Sequence, residues 1–118
     1  MSGTVVSGNV LGGKGIYSFT GGSDGGNPNG DLVSLKSGLY GTTNAGGRGY
    51  GTVFWLAPQT VDTGPWTERT LHEFAGGNFG DGEHPSGGLL PFQGALFGTT
   101  QFGGTGTSDL GTVFVIKP

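Results

Sequence analysis

The chain has 118 residues, of which 29 are glycine and 6 are proline, and its formal net charge is −3. This length allows one domain with a modest core, and the absence of cysteine excludes disulfides and thiolate chemistry. The 5 cations are too dispersed to bind nucleic acid, and no apolar run is long enough to span a membrane.

The predicted elements are all short strands, so the predicted fold class is all-β. Glycine interrupts every stretch, and no helical pattern of apolar residues extends over three turns. Runs of β-branched and aromatic residues bounded by Gly, Asn and Pro indicate strands instead. In chain order, we predict strands at 15–20, 31–36, 38–43, 51–57, 66–75, 87–92, 95–100 and 111–117. Residues 1–13 are predicted to be a tail or an extra strand.

The glycines recur in fixed places because the sequence contains an internal repeat. Residues 38–43 (GLYGTT) return as 95–100 (ALFGTT), an offset of 57, and 51–54 (GTVF) return as 111–114. An Asp-Gly dipeptide precedes the first strand of each copy. Because the offset varies between matched blocks, the blocks are predicted to be structural elements and the insertions to lie in loops.

Each repeat unit corresponds to four strands, which is typical of a β-propeller blade. Residues 14–75 are predicted to hold the final strand of a preceding blade, Gly15–Thr20, followed by a complete blade. Residues 76–118 are predicted to form a second blade that lacks its last strand. Two blades cannot close a ring, and open sheet edges invite association. We therefore expect a homo-oligomer in which Gly15–Thr20 of one copy completes the last blade of another.

The repeated motifs resemble a known family. The series Leu-Tyr-Gly-Thr-Thr-x-x-Gly-Gly, Gly-Thr-Val-Phe-x-Leu-x-Pro and Leu-His-x-Phe resembles the GloVer tandem repeat, in two copies over residues 14–118. It is similar, more weakly, to the kelch blade. The resemblance implies a propeller-like array in an extracellular or cell-surface protein, although no signal peptide is recognised at the first residues. It transfers no catalytic or binding residue.

Two carboxylates, Asp81 and Glu83, lie beside His84 in a glycine-rich segment. They are the candidates for the acid/base pair of a glycoside hydrolase. The alternative is a turn in which Asp81 accepts backbone hydrogen bonds, and it is favoured because Asp-Gly recurs in the first copy as Asp24-Gly25 whereas Glu83 and His84 do not. We therefore predict no catalytic residue and no enzyme.

Aromatic rings beside polar groups suit carbohydrate recognition, because rings stack on sugar C–H faces. The candidate ligand-binding residues are Tyr50, Trp66, Phe79, Asp81, Glu83, His84 and Phe102. The alternative role for the rings is packing between blades.

We predict no cofactor, and the alternative is a calcium ion bound by oxygen ligands near the first Asp-Gly dipeptide. Asp24, Asn27 and Asp31 offer side-chain oxygens at short spacing, but no bidentate Glu follows as in an EF-hand.

The sequence thus predicts a non-catalytic extracellular repeat module that acts in self-assembly and in binding a ligand, with glycans as the candidate class. A purely structural scaffold or filament subunit is the first alternative, and a glycoside-hydrolase-like enzyme using Asp81 and Glu83 is the second.

Overall fold

The computed structural model describes residues 15–58, 66–106 and 109–118. The described chain is all-β, as predicted, with two antiparallel sheets and one turn of 3-10 helix at Gly77–Phe79. Its strands are β1 Gly26–Pro28, β2 Val33–Leu35, β3 Gly38–Ala45, β4 Thr52–Ala57, β5 Thr67–Glu73, β6 Gly82–Phe92, β7 Ala95–Gly103 and β8 Thr112–Ile116.

Each sheet is built from one copy of the sequence repeat. In the first sheet, β1 and β2 both pair with β3, and β4 and β5 follow in order. In the second sheet the order is β6-β7-β8, and β6 covers the part of the repeat that β1 and β2 cover in the first. The register of β6 shifts between Ser86 and Leu90, where the gap between β1 and β2 falls in the other copy.

Most strands lie where the sequence predicts them, but the Asp-Gly-x-x-Pro segment differs. The sequence predicts that this segment precedes the first strand of each unit, whereas it contains β1 in one unit and the start of β6 in the other. Pro28 and Pro85 fit there because β1 and β6 are the edge strands of their sheets, where a missing N–H leaves no bond unmade.

Gly15–Thr20, predicted as a strand that completes a blade of another copy, is not a strand within the single chain. These residues have no regular secondary structure. A strand needs a neighbour to pair with, and in the described chain this segment pairs neither with β4, which has β3 and β5 on its two sides, nor with β8. The segment lies against one face of the first sheet instead. The predicted tail or extra strand at 1–13 lies outside the described residues.

The core lies between the two sheets. Its buried side chains come from both of them: Tyr40, Val53, Phe74, Leu89 and Leu96. Burial of this cluster is what holds the two repeat units together. Within the described ranges, no helix has the length and apolar character needed to cross a membrane.

A glycine in the central strand of each unit makes room for a phenylalanine on its neighbour. A Cβ on Gly41 would lie 2.7 Å from the Phe54 ring, and one on Gly98 would lie 2.5 Å from the Phe114 ring. Only glycine leaves space for a ring to cross the strand at this distance. The Gly-Thr-Thr motif is therefore explained by packing within each sheet.

Candidate functional site

The most organised polar group in the described chain is the joint between the two units, centred on Asp81. Its Oδ2 accepts hydrogen bonds from His72 Nε2 and from the Ala75 N–H, both at 2.9 Å. Its Oδ1 accepts the Gly82 N–H at 2.8 Å. Asp81 thereby ties the end of β5, in the first sheet, to the start of β6, in the second.

The joint favours an ionised Asp81. Partial burial acts to raise the pKa of this carboxyl, but the N–H groups of Ala75 and Gly82 and the His72 side chain outweigh it and lower the pKa below its usual value. A carboxylate only accepts hydrogen bonds, so Nε2 of His72 carries the proton that it donates.

A similar set of hydrogen bonds, also called a joint, surrounds Asp24 on the face of the first sheet that points away from the second. Asp24 Oδ2 accepts from the Tyr17 hydroxyl at 2.6 Å and from the Thr20 N–H at 3.1 Å, and Oδ1 accepts from the Thr20 hydroxyl at 2.6 Å. The bonds from Thr20 and Tyr17 lower the pKa of Asp24, and the bond to Asp24 raises the pKa of Tyr17 to about 12. Tyr17 and Thr20 occupy the repeat positions of His72 and Ala75.

An aromatic pair accompanies each joint. Phe74 packs edge-on against Phe114 with 5.1 Å between ring centroids, and Phe19 packs against Phe54 in the same way at 4.9 Å. The segment Gly15–Thr20 therefore packs on the first sheet as Phe74, directly after β5, packs on the second.

Paired threonines hold the two central strands of each sheet together. The hydroxyls of Thr43 and Thr52 are 2.7 Å apart, as are those of Thr100 and Thr112. In both pairs the first hydroxyl also accepts the N–H of the second threonine. The second threonine of each Gly-Thr-Thr motif and the threonine of each Gly-Thr-Val-Phe motif are therefore engaged in hydrogen bonds within their own sheet.

The structure brings only some of the predicted ligand-binding residues together. Tyr50, His84 and Phe102 form a row of rings with centroid distances of 6.2 and 6.4 Å, and His84 Nδ1 lies 2.8 Å from the Asn44 carbonyl oxygen. Phe79 is exposed in the 3-10 helix, and Trp66 lines a separate cavity of about 170 Å³.

The two carboxylates proposed as an acid/base pair line different cavities. Asp81 faces one of about 350 Å³ with Arg48 and His72, whereas Glu83 faces one of about 400 Å³ with Asp109. Glu83 Oε2 accepts the Gly77 N–H at 2.8 Å. Since each carboxylate is held by backbone donors around a different space, the arrangement favours the structural alternative.

The three candidate calcium ligands lie in different settings. Asp24 is engaged by Tyr17 and Thr20, Asn27 lies in β1 with a φ of 55°, and Asp31 lies between β1 and β2. No group of three or more His, Asp or Glu side chains able to hold a metal ion occurs in the part of the chain that the structure describes.

Sequence reasoning missed the residues that make the joint, above all Tyr17 and His72. The signal that was available is their shared repeat position, two residues before Phe19 and Phe74. A hydroxyphenyl ring and an imidazole look unrelated in sequence, but both donate a hydrogen bond to a carboxylate.

Comparison of the chain with protein-family models, with curated proteins and with solved structures finds no match. The resemblance to GloVer and kelch repeats stays a prediction from the motifs.

Proposed function

We propose that this chain is a non-catalytic, propeller-like tandem-repeat module whose function is to pack against further units of its own kind. The observation that carries this proposal is the duplicated joint. At Asp81 the joint connects two sheets, whereas at Asp24 it anchors a segment that has no preceding sheet among the described residues.

The chemistry of the described residues supports a role in packing. The residues that the repeat retains are joint carboxylates, strand glycines and paired threonines, and each is occupied by an intramolecular contact. The resemblance to GloVer repeats supports the same role in an extracellular or cell-surface array.

Size-exclusion chromatography with light scattering over a concentration series tests the proposal. We expect the mass to rise above that of one 11.9 kDa chain as concentration increases. A constant single-chain mass at the highest soluble concentration would contradict it.

Carbohydrate binding is the second candidate function, and the ring row of Tyr50, His84 and Phe102 favours it. Phe102 is exposed at one end of the row, where a sugar face can stack. A glycan array with the wild type should show hits that Phe102→Ala loses and that Phe79→Ala, an exposed ring outside the row, retains. An array without hits would remove this candidate.

A further inference from the structure

We propose that the outer face of the second sheet, together with the edge of β8 that has no partner strand among the described residues, is a docking surface for a second copy of this chain. In this assembly the first sheet of the second copy covers the outer face, and its Gly15–Thr20 segment pairs with β8. The inference rests on the proposed function and names the surfaces that meet.

The outer face is the side of the second sheet that points away from the first. The strand register places five apolar side chains on it: Leu90, Phe92, Phe97, Val113 and Val115. Four of these are exposed, including Val113 at 76% and Leu90 at 64%, and Phe97 is half-buried. Together they form an apolar surface on three adjacent strands.

The equivalent face of the first sheet is covered by the second sheet. The equivalent side chains, 57 or 60 positions earlier, are Val33, Leu35, Tyr40, Val53 and Trp55. All five pack into the core against the second sheet, and Val53, the counterpart of Val113, is 0% exposed. Thus the equivalent face is buried in the first sheet, where the second sheet covers it, and is exposed in the second sheet.

The complementary surface is uncovered on the opposite side of the chain. Leu89 of the second sheet faces the first sheet and is 8% exposed, whereas its counterpart Leu32 is 53% exposed. Likewise, Pro85 is fully buried and Pro28 is exposed. An apolar cavity of about 290 Å³ lies beside Leu32, between the first sheet and Gly15–Thr20. This side of the first sheet is called the receiving face.

The outer and receiving faces are thus the two halves of the interface that already joins the two sheets. Because they lie on opposite sides of the chain, their contact is head-to-tail and leaves a further pair of faces open. A face-to-face dimer, in contrast, would bury two outer faces against each other and would leave both receiving faces uncovered.

The pairing of β4 with β5 predicts how Gly15–Thr20 of the second copy aligns along the edge of β8. In the first sheet β4 has neighbours on both sides, and β5 places Glu73 opposite Thr52 and His72 opposite Val53. In the second sheet β8 has only β7 beside it among the described residues. Moving the β5 register by one unit places Ser18 opposite Thr112 and Tyr17 opposite Val113. This addition of a strand to a sheet edge is a common mode of recognition.

Gly15–Thr20 is already fixed against its own first sheet in the position that this pairing needs. Tyr17, Phe19 and Thr20 already contact their own first sheet as His72, Phe74 and Ala75 contact the second. The contact still to be made is that with a strand edge, corresponding to the 2.9 Å bond from the Phe74 N–H to the Gly51 carbonyl. In the assembly the Phe19 N–H donates to Gly111 of the neighbouring copy.

Two variants that each block one face test the inference by sedimentation velocity. Val113→Glu places a charge on the outer face, and Leu32→Glu places one on the receiving face. Both positions are more than half exposed, so neither change empties the core. Leu110→Glu is the matched control, because Leu110 is 83% exposed in the loop before β8. Circular dichroism checks that all three fold.

Each blocked variant alone should sediment as a monomer at concentrations where the wild type and Leu110→Glu associate. Their equimolar mixture should form a dimer of twice the mass, because one intact outer face meets one intact receiving face. If the wild type associates and the mixture stays monomeric, or if either variant associates like the wild type, the head-to-tail surfaces are wrong while the proposed function stands. If the wild type itself never associates, both are wrong.

Discussion

At the scale of single residues, the repeat preserves contacts rather than reactive groups. Gly41 and Gly98 lie beneath phenylalanine rings, and the hydroxyls of each threonine pair bond to each other. The sequence indicated that these positions matter because they recur. It did not indicate that a glycine and a phenylalanine 13 or 16 positions apart meet, since this depends on the pairing of β3 with β4 and of β7 with β8.

The buried threonine pair of the first sheet predicts a double-mutant result. Thr43→Val leaves the Thr52 hydroxyl without its partner in a fully buried site, which should lower the free energy of unfolding by about 1–3 kcal/mol. Thr43→Val/Thr52→Val should cost less than the sum of the two single changes, because no hydroxyl remains unpaired. Urea denaturation measures both. A neutral single variant would contradict the assigned hydrogen bond.

The glycine beneath Phe114 predicts a second stability effect. Gly98→Ala inserts a methyl group into the Phe114 and Leu89 side chains and should cost about 1–3 kcal/mol through overpacking. Gly88→Ala, whose Cβ would meet only ordinary contacts beside Asp31, is the matched control and should be near neutral. Equal thermal midpoints for the two variants would show that the ring does not cross the strand there.

At the scale of elements, β-branched and aromatic runs bounded by turn residues predict most strands. Whether the remaining segments form strands depends on whether another strand is available to pair with them. The sequence predicts the positions of β3, β4, β7 and β8 within a few residues. Gly15–Thr20 has strand composition but lacks a partner in the described chain. Conversely, β1 lies in a glycine- and proline-rich stretch because β3 offers it hydrogen bonds. Pairing between strands that are far apart in the sequence cannot be predicted from the composition of one short segment.

The different surroundings of β4 and β8 predict unequal effects of one substitution. Val53→Ala removes methyl groups from a fully buried site and should lower the free energy of unfolding by about 1.5–3 kcal/mol. Val113→Ala should change it by less than about 0.5 kcal/mol in dilute solution, since that side chain is exposed. Chemical denaturation at low protein concentration compares them. A large loss for Val113→Ala would mean that β8 is covered within a single chain.

At the scale of the whole molecule, a shared core and the hydrogen bonds of Asp81 join two similar units, and Asp24 makes similar hydrogen bonds to Gly15–Thr20. The duplicated Asp-Gly dipeptide made both carboxylates visible in the sequence. Their partners were hidden, because Tyr17 and His72 differ in chemistry and because each bond spans an irregular turn. The predicted ligand residues were likewise scattered by the fold, apart from Tyr50, His84 and Phe102.

The joint makes stability depend on pH in the acidic range. The pKa of Asp81 is lower in the folded chain than the unfolded value of about 3.9, so its contribution is complete above about pH 4 and is lost as pH falls through the folded pKa. Asp81→Asn should therefore be less stable than the wild type at neutral pH and approach it in acid. Asp24→Asn should show a smaller difference, because Asp24 anchors only Gly15–Thr20. Urea titrations across the acidic range test this, and parallel curves at every pH would contradict it.

Amide hydrogen exchange of the wild type at low and high protein concentration tests most directly the claim that the outer and receiving faces bind each other. Exchange should slow together in β8 and in Gly15–Thr20 as concentration rises, while the amides of β3 and β4 exchange at unchanged rates. Association that leaves exchange in β8 and Gly15–Thr20 unaltered would contradict the account.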